Sequence, residues 1–185
     1  DRRILDLLGI ELPILQAPMA GATGSPMAIA VGLAGGLGAL PCAMLTGEQI
    51  RAEIAAFRAG CPGRPLNLNF FCHQPPAPDS ARDVRWKQAL APYYSETGAD
   101  FSAPTPVSNR APFDEQSCQL VEQLRPEVVS FHFGLPQAEL LQRVKASGAK
   151  VLSSATTVEE AVWLERHGCD AIIAMGYEAG GHRGM

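Results

Sequence analysis

The chain has 185 residues, enough for one domain with a sizeable core. Apolar residues make up 46% and charged residues 18%, a globular composition that excludes a disordered chain. The net charge of −4, with no basic block, excludes a nucleic-acid surface and a polybasic membrane patch, and no apolar run reaches the roughly 20 residues of a membrane span.

In chain order, strands are predicted at Pro13–Ala17, Leu37–Leu40, Leu66–Phe70, Val128–His132, Lys150–Ala155 and Asp170–Met175, short apolar runs most of which carry β-branched residues. Helices are predicted between them at Pro26–Ala34, Gly47–Ala59, Ala81–Ser95, Asp114–Leu124, Gln137–Ser147 and Val158–His167. Thr46 with Gln49, and Thr157 with Glu160, have the spacing of capping boxes. "RHG" (Arg166–Gly168) and "ASGAK" (Ala146–Lys150) read as helix ends. This alternation predicts a parallel sheet covered by helices, and consecutive apolar positions fit strands buried on both faces.

Two proline-rich stretches, "HQPPAPD" (His73–Asp79) and "FSAPTPVSNRAP" (Phe101–Pro112), read as long loops flanking an inserted helix, with no domain linker. The start, "DRRILDLLGIELP", lacks the apolar core of a signal peptide. The five cysteines are odd in number and none form C-x-x-C, so the spacing supports neither a disulfide framework nor a zinc site; free thiols in a reducing cytoplasm are expected.

A closed (β/α)8 barrel needs about 250 residues. An open doubly wound sheet fits the length, but the G-x-G-x-x-G fingerprint does not follow the first strand, which ends in "QAPMAG" (Gln16–Gly21). In either architecture ligands bind at the carboxyl ends of the strands. Small and polar residues collect there: Gln16 to Gly21; Asn67, Asn69 and His73; Ser130, His132 and Gly134; Ser153, Ser154 and Thr156; and Gly176, Glu178, Gly180, Gly181 and His182. Such a rim suits a flat aromatic ligand approached closely by backbone.

Asn67 and Asn69 alternate onto one face of an apolar strand, so each must find a partner, in the neighbouring strand or on a heteroaromatic ring. His132 reads as a hydrogen-bonded core histidine or a site residue, and His73 as a loop residue that can line the mouth. His167 sits in the last turn of a helix, where the dipole favours it. His182 lies past a strand end among glycines, next to Arg183, where an imidazole can exchange a proton near neutral pH.

"LPILQAPMAG" (Leu12–Gly21), "AGGLGAL" (Ala34–Leu40), "LNLNFFCH" (Leu66–His73) and "GYEAGGHRG" (Gly176–Gly184) together resemble the nitronate monooxygenases, formerly called 2-nitropropane dioxygenases, over the whole chain and in order. The resemblance implies a TIM barrel, (β/α)8, of which residues 1–185 supply about the first six βα units. It implies FMN at the carboxyl end of the strands, contacted by Ala17, Pro18, Met19, Ala20, Asn69, Ser154, Gly180 and Gly181. His182 would be the catalytic residue, with His132 and His73 toward the substrate. The reaction implied is oxidation of alkyl nitronates, and of nitroalkanes, by O2 to a carbonyl compound and nitrite. Met175 stands where family members commonly have glutamine, and methionine has no hydrogen to donate to a flavin. The family continues for roughly another half-chain, whose loops hold the FMN phosphate, so a missing C-terminal part of the barrel is the expected partner of these residues; a homo-oligomer is compatible with the sequence. The alternatives are an FMN-dependent enoyl-acyl-carrier-protein reductase or NAD(P)H:quinone reductase on the same barrel, and a non-enzymatic half-barrel that binds a partner.

Overall fold

The computed structural model describes residues 1–104 and 110–184, so the proline-rich stretch at Phe101–Pro112 falls partly outside the described residues. Five strands, β1 (Gly38–Pro41), β2 (Leu66–Phe71), β3 (Val128–His132), β4 (Lys150–Ala155) and β5 (Ala171–Ala174), form one sheet in chain order, every neighbouring pair parallel. This is an α/β fold whose strand order and helical crossovers are those of part of a (β/α)8 barrel.

The first predicted strand, Pro13–Ala17, is reduced to a single parallel bridge between Leu15 and Leu37. Leu37 donates its N–H to Ile14 O and accepts from Gln16 N, both at 2.9 Å. The next donor along β1, the Ala39 N–H, is taken by the side-chain Oε1 of Gln16 at 3.1 Å. Gln16 thus ends the ladder with its own side chain, and Pro18 just beyond has no N–H to resume it.

The chain divides into two compact units, Asp1–His73 with Asn109–Met185, and Gln74–Ser108. In the smaller unit the predicted helix Ala81–Ser95 is two helices, α4 (Ser80–Ala89) and α5 (Ala91–Thr97). Pro92 accounts for the break, since it cannot donate within a continuous helix but is tolerated in a first turn. Asp79 caps α4 by accepting from Arg82 N at 2.9 Å. Within this unit the Lys87 ammonium lies 5.3 Å over the Phe101 ring, which meets Tyr94 edge-on at 5.2 Å.

In the larger unit α1 (Arg3–Leu8), which the sequence pattern did not reveal, buries Leu5 and Leu8 against Leu37, Val128 and Leu152. Six residues make a marginal helix unless packed. Here the packing closes the amino-terminal end of the sheet's inner face. On the other side, α2 (Ser25–Leu33), α3 (Gly47–Gly60), α6 (Glu115–Leu124), α7 (Ala138–Ala146) and α8 (Val158–Arg166) occupy the crossovers. At Gly38 a Cβ would lie 2.4 Å from the Ala28 carbonyl oxygen, so α2 meets β1 backbone to backbone. The capping box of α3 is complete: Gln49 N donates to Thr46 Oγ1 at 3.3 Å and Thr46 N to Gln49 Oε1 at 2.8 Å. At α8 only half of the expected box forms. Thr157 Oγ1 accepts from Glu160 N at 3.2 Å, but the Glu160 carboxylate reaches one residue further back, to Thr156 N at 2.6 Å and Thr156 Oγ1 at 2.9 Å.

Strand alternation sorts side chains onto two faces. Leu40, Leu66, Leu68, Phe70, Val129, Phe131 and Val151 point outward and pack with the helices in the main core. The inward set changes character along the strands. Near the amino ends it is apolar, with Leu37, Val128 and Leu152. Toward the carboxyl ends come Asn67, Asn69, Ser130, His132 and Ser154, and this polar layer positions the site.

Candidate functional site

Asn67 and Asn69, both buried, share one partner. Each donates its side-chain N–H to Ser130 Oγ at 2.9 Å, and Asn69 Nδ2 also lies 3.3 Å from Ser130 O. Their register explains this: Asn69 is directly opposite Ser130 across the β2–β3 ladder, with Asn67 one inward step below. The Asn69 amide is therefore committed to the next strand, and Oδ1 is the atom it can present upward. Two buried polar atoms in this layer, Gln16 Nε2 and Asn67 Oδ1, have no protein partner among the described residues, and His73 Nδ1 is a third at the end of β2.

Above this layer, Phe71, His132 and Ser154 form the last inward row. His132 Nδ1 lies 2.7 Å from Ser154 Oγ and its Nε2 3.0 Å from the backbone oxygen of His182. The glycine-rich loop after β5 thus folds back over the ends of β3 and β4. Its far end is held too, since Gly184 N–H donates to Met175 Sδ at 3.3 Å. A Cβ at Gly184 would stand 3.1 Å from Ser154 Oγ, so this glycine permits a close approach. By contrast, Gly180 and Gly181 have open space where a side chain would project, and Gly181 has φ +81°.

The His182 ring meets Phe71 edge-on at 5.7 Å and Phe133 at 6.0 Å between centroids. Phe133 also packs on His132 at 4.2 Å and on His73 at 6.2 Å. Of the residues singled out from sequence, the structure gathers His132, His182, His73 and Ser154 into one cluster, with Asn69 directly below it. Ala17, Met19 and Ala20 are exposed, and Pro18 half-buried, in the turn after the Leu15 bridge. His167 lies elsewhere, stacked on Trp163 at 4.0 Å with Nδ1 2.7 Å from Trp163 O. Sequence reasoning missed Phe133. The available signal was a bulky aromatic wedged between a strand end and Gly134, and its φ of +67° is exceptional for such a residue.

Burial pushes the pKa of His132 below its ordinary value near 6.5; the bond to the His182 carbonyl opposes this and the nearby His182 ring reinforces it. A folded pKa below the unfolded one means the unfolded chain binds the proton more readily. The stabilising effect is complete above about pH 6.5 and is lost as pH falls through the folded value. Wild-type protein should therefore lose melting temperature relative to His132→Gln between pH 7 and pH 5. Parallel melting curves across that range would show that His132 is not desolvated.

The family model described as nitronate monooxygenase matches residues 1–185. A nitronate monooxygenase of Paraburkholderia phytofirmans is 41% identical over 185 residues, covering all of this chain and 50% of the relative. One from Pseudomonas aeruginosa is 43% identical over 188 residues, covering 99% and 52%. Among solved structures, a nitroalkane oxidase from Streptomyces ansochromogenes superposes with a TM-score of 0.83 at 36% identity, covering 98% of this chain and 50% of that one. The chain spans about half the length of the curated relatives it matches.

Proposed function

Because the chain belongs to the nitronate monooxygenase family, we propose that the protein oxidises alkyl nitronates, and nitroalkanes after loss of an α-proton, with O2 to a carbonyl compound and nitrite. The observation that carries this reading is His182, fixed by its own backbone above a polar layer, with its imidazole against two aromatic rings.

The family is one of flavoproteins, and we take the flavin to be FMN. The residues fit its ring. A heteroaromatic ring system bearing both donors and acceptors answers the unpartnered Gln16 Nε2 and Asn67 Oδ1. Ala17, Pro18, Met19 and Ala20 would line one edge, Asn69 would meet the ring through Oδ1, and the open backbone at Gly180 and Gly181 would let the loop come close. Ser154 Oγ can accept one further bond while it serves His132. When bound, the flavin supplies the electron transfer from nitronate to oxygen.

The chain's own residues bind and move protons. His182 would take the α-proton of a neutral nitroalkane, or hold the nitro oxygens of a nitronate anion. Phe71 and Phe133 would keep water from the reacting carbon, and His73 would stand toward the substrate's far end. The unpaired thiols fit a cytoplasmic location, and no helix among the described residues is long and apolar enough to cross a membrane.

The experiment is a spectrum of the full-length protein followed by nitrite assay. A yellow protein that releases FMN on denaturation and forms nitrite from propyl-2-nitronate is expected. A colourless protein that takes up no added FMN would sink the proposal. Bleaching of the flavin by NAD(P)H with no nitrite formed would move the assignment to the reductases of the same barrel type.

A further inference from the structure

We propose, resting on the function above, that His132 is a positioning residue that fixes His182 through its backbone carbonyl, and not a ligand for the substrate. Both ring nitrogens of His132 are already engaged within the protein, at 2.7 Å to Ser154 Oγ and 3.0 Å to His182 O. A carbonyl oxygen only accepts, so Nε2 must carry the hydrogen. In the neutral ring Nδ1 then has none, and the Ser154 hydroxyl must donate to it. The result is a one-way chain running from the Ser154 hydroxyl through the imidazole to the carbonyl of His182, with no nitrogen left for a ligand.

The surrounding geometry points the same way. The loop that carries His182 runs from β5 through Gly180 and Gly181, which have open space where a side chain would project and so no side chain of their own to pack, and Gly181 has φ +81°. Such a segment does not hold a side chain in place by itself. Four contacts do: the His132 bond to the carbonyl of His182, the Gly184 N–H on Met175 sulfur, and the edge-on rings of Phe71 and Phe133. Phe133 lies against both imidazoles, at 4.2 Å and 6.0 Å between centroids, from a left-handed backbone conformation that is unfavourable for an L-residue. Strain of this kind persists where surrounding structure demands it. Here it inserts the ring between the histidine that holds and the histidine that is held.

The test uses the full-length, flavin-loaded protein. Imidazole ¹⁵N NMR of histidine-labelled wild type at neutral pH should show His132 protonated on Nε2 and bare on Nδ1. His132→Ala should lower kcat for nitroalkane roughly 10²-fold, the loss expected from a displacement on the order of 1 Å, with KM little changed. His132→Gln, which keeps a donor near the Nε2 position, should recover most of that loss. An Nδ1-protonated ring would overturn the inference. So would a rise in KM at constant kcat in the alanine variant, which would make His132 a substrate ligand, or a glutamine variant as slow as alanine. If His132→Ala fails to fold, the tautomer and the glutamine variant still decide. The NMR signature does not depend on the reaction, so a wild type that makes no nitrite but shows the Nε2-protonated ring would refute the function and leave the positioning role standing.

Discussion

Replacing His182 with asparagine should reduce turnover of neutral nitroalkanes by about 10²–10⁴-fold, the range a positioned general base contributes. The loop should survive the change. Asparagine loses the ring contacts with Phe71 and Phe133 but keeps both hydrogen-bonded anchors, the backbone carbonyl of residue 182 and the Gly184 N–H on Met175 sulfur. Flavin content should accordingly change little. Preformed nitronates have already given up the acidic α-proton, so their turnover should fall much less if the imidazole acts as a base. Steady-state rates with nitroethane and with its nitronate, on the same preparation, separate the roles. Equal and large losses with both substrates would assign His182 to holding developing charge at the nitro group, and unchanged rates with both would remove it from the site.

Phe131→Ala should be the most destabilising change near the site, at about 3–5 kcal/mol, the cost of deleting a buried aromatic side chain. Phe131 is 1% exposed and points to the helical side of β3. Its ring meets Phe113 edge-on at 5.1 Å, and Phe113 in turn meets Phe70 edge-on at 5.0 Å, so the truncation removes one end of a run of three edge-to-face rings and leaves Phe113 without one of its two aromatic neighbours. A domain of this kind has about 5–15 kcal/mol in all. The variant should therefore unfold at much lower urea concentration, with a large share of its stability gone. A loss below about 1 kcal/mol would mean that β3 does not carry its outward face against this core.

The strands were legible because their signal is local. "LNLNF" and "VVSFH" carry apolar residues at outward positions, and the alternation that buries Leu68 and Phe131 also turns Asn69 and His132 inward. The gathering of the candidate site residues was legible to the same extent, since residues at the carboxyl ends of parallel strands converge once the sheet is formed. What could not be read depended on partners distant in sequence. The Pro13–Ala17 segment has strand composition, but its ladder stops where the Gln16 side chain takes the Ala39 N–H, a contact across 23 residues. Helix α1 is too short to announce itself and exists through packing on Val128 and Leu152. The choice of Ser130 as partner for both asparagines depends on the register of β2 against β3. The engagement of both His132 nitrogens depends on a loop 50 residues away.

The two faces of β3 divide what selection can act on. Val129 and Phe131 answer to the helices behind them; Ser130 and His132 answer to the asparagines, to Ser154 and to the His182 loop. Neighbouring residues along one strand are thereby exposed to different evolutionary pressures. Exchanges among hydrophobic residues of similar volume can accumulate at the outward positions without touching the chemistry. The inward polar layer can in turn change its hydrogen bonding while the outward stripe preserves the fold. Substitutions confined to every second position of β3 can therefore alter the polar layer and leave the architecture in place.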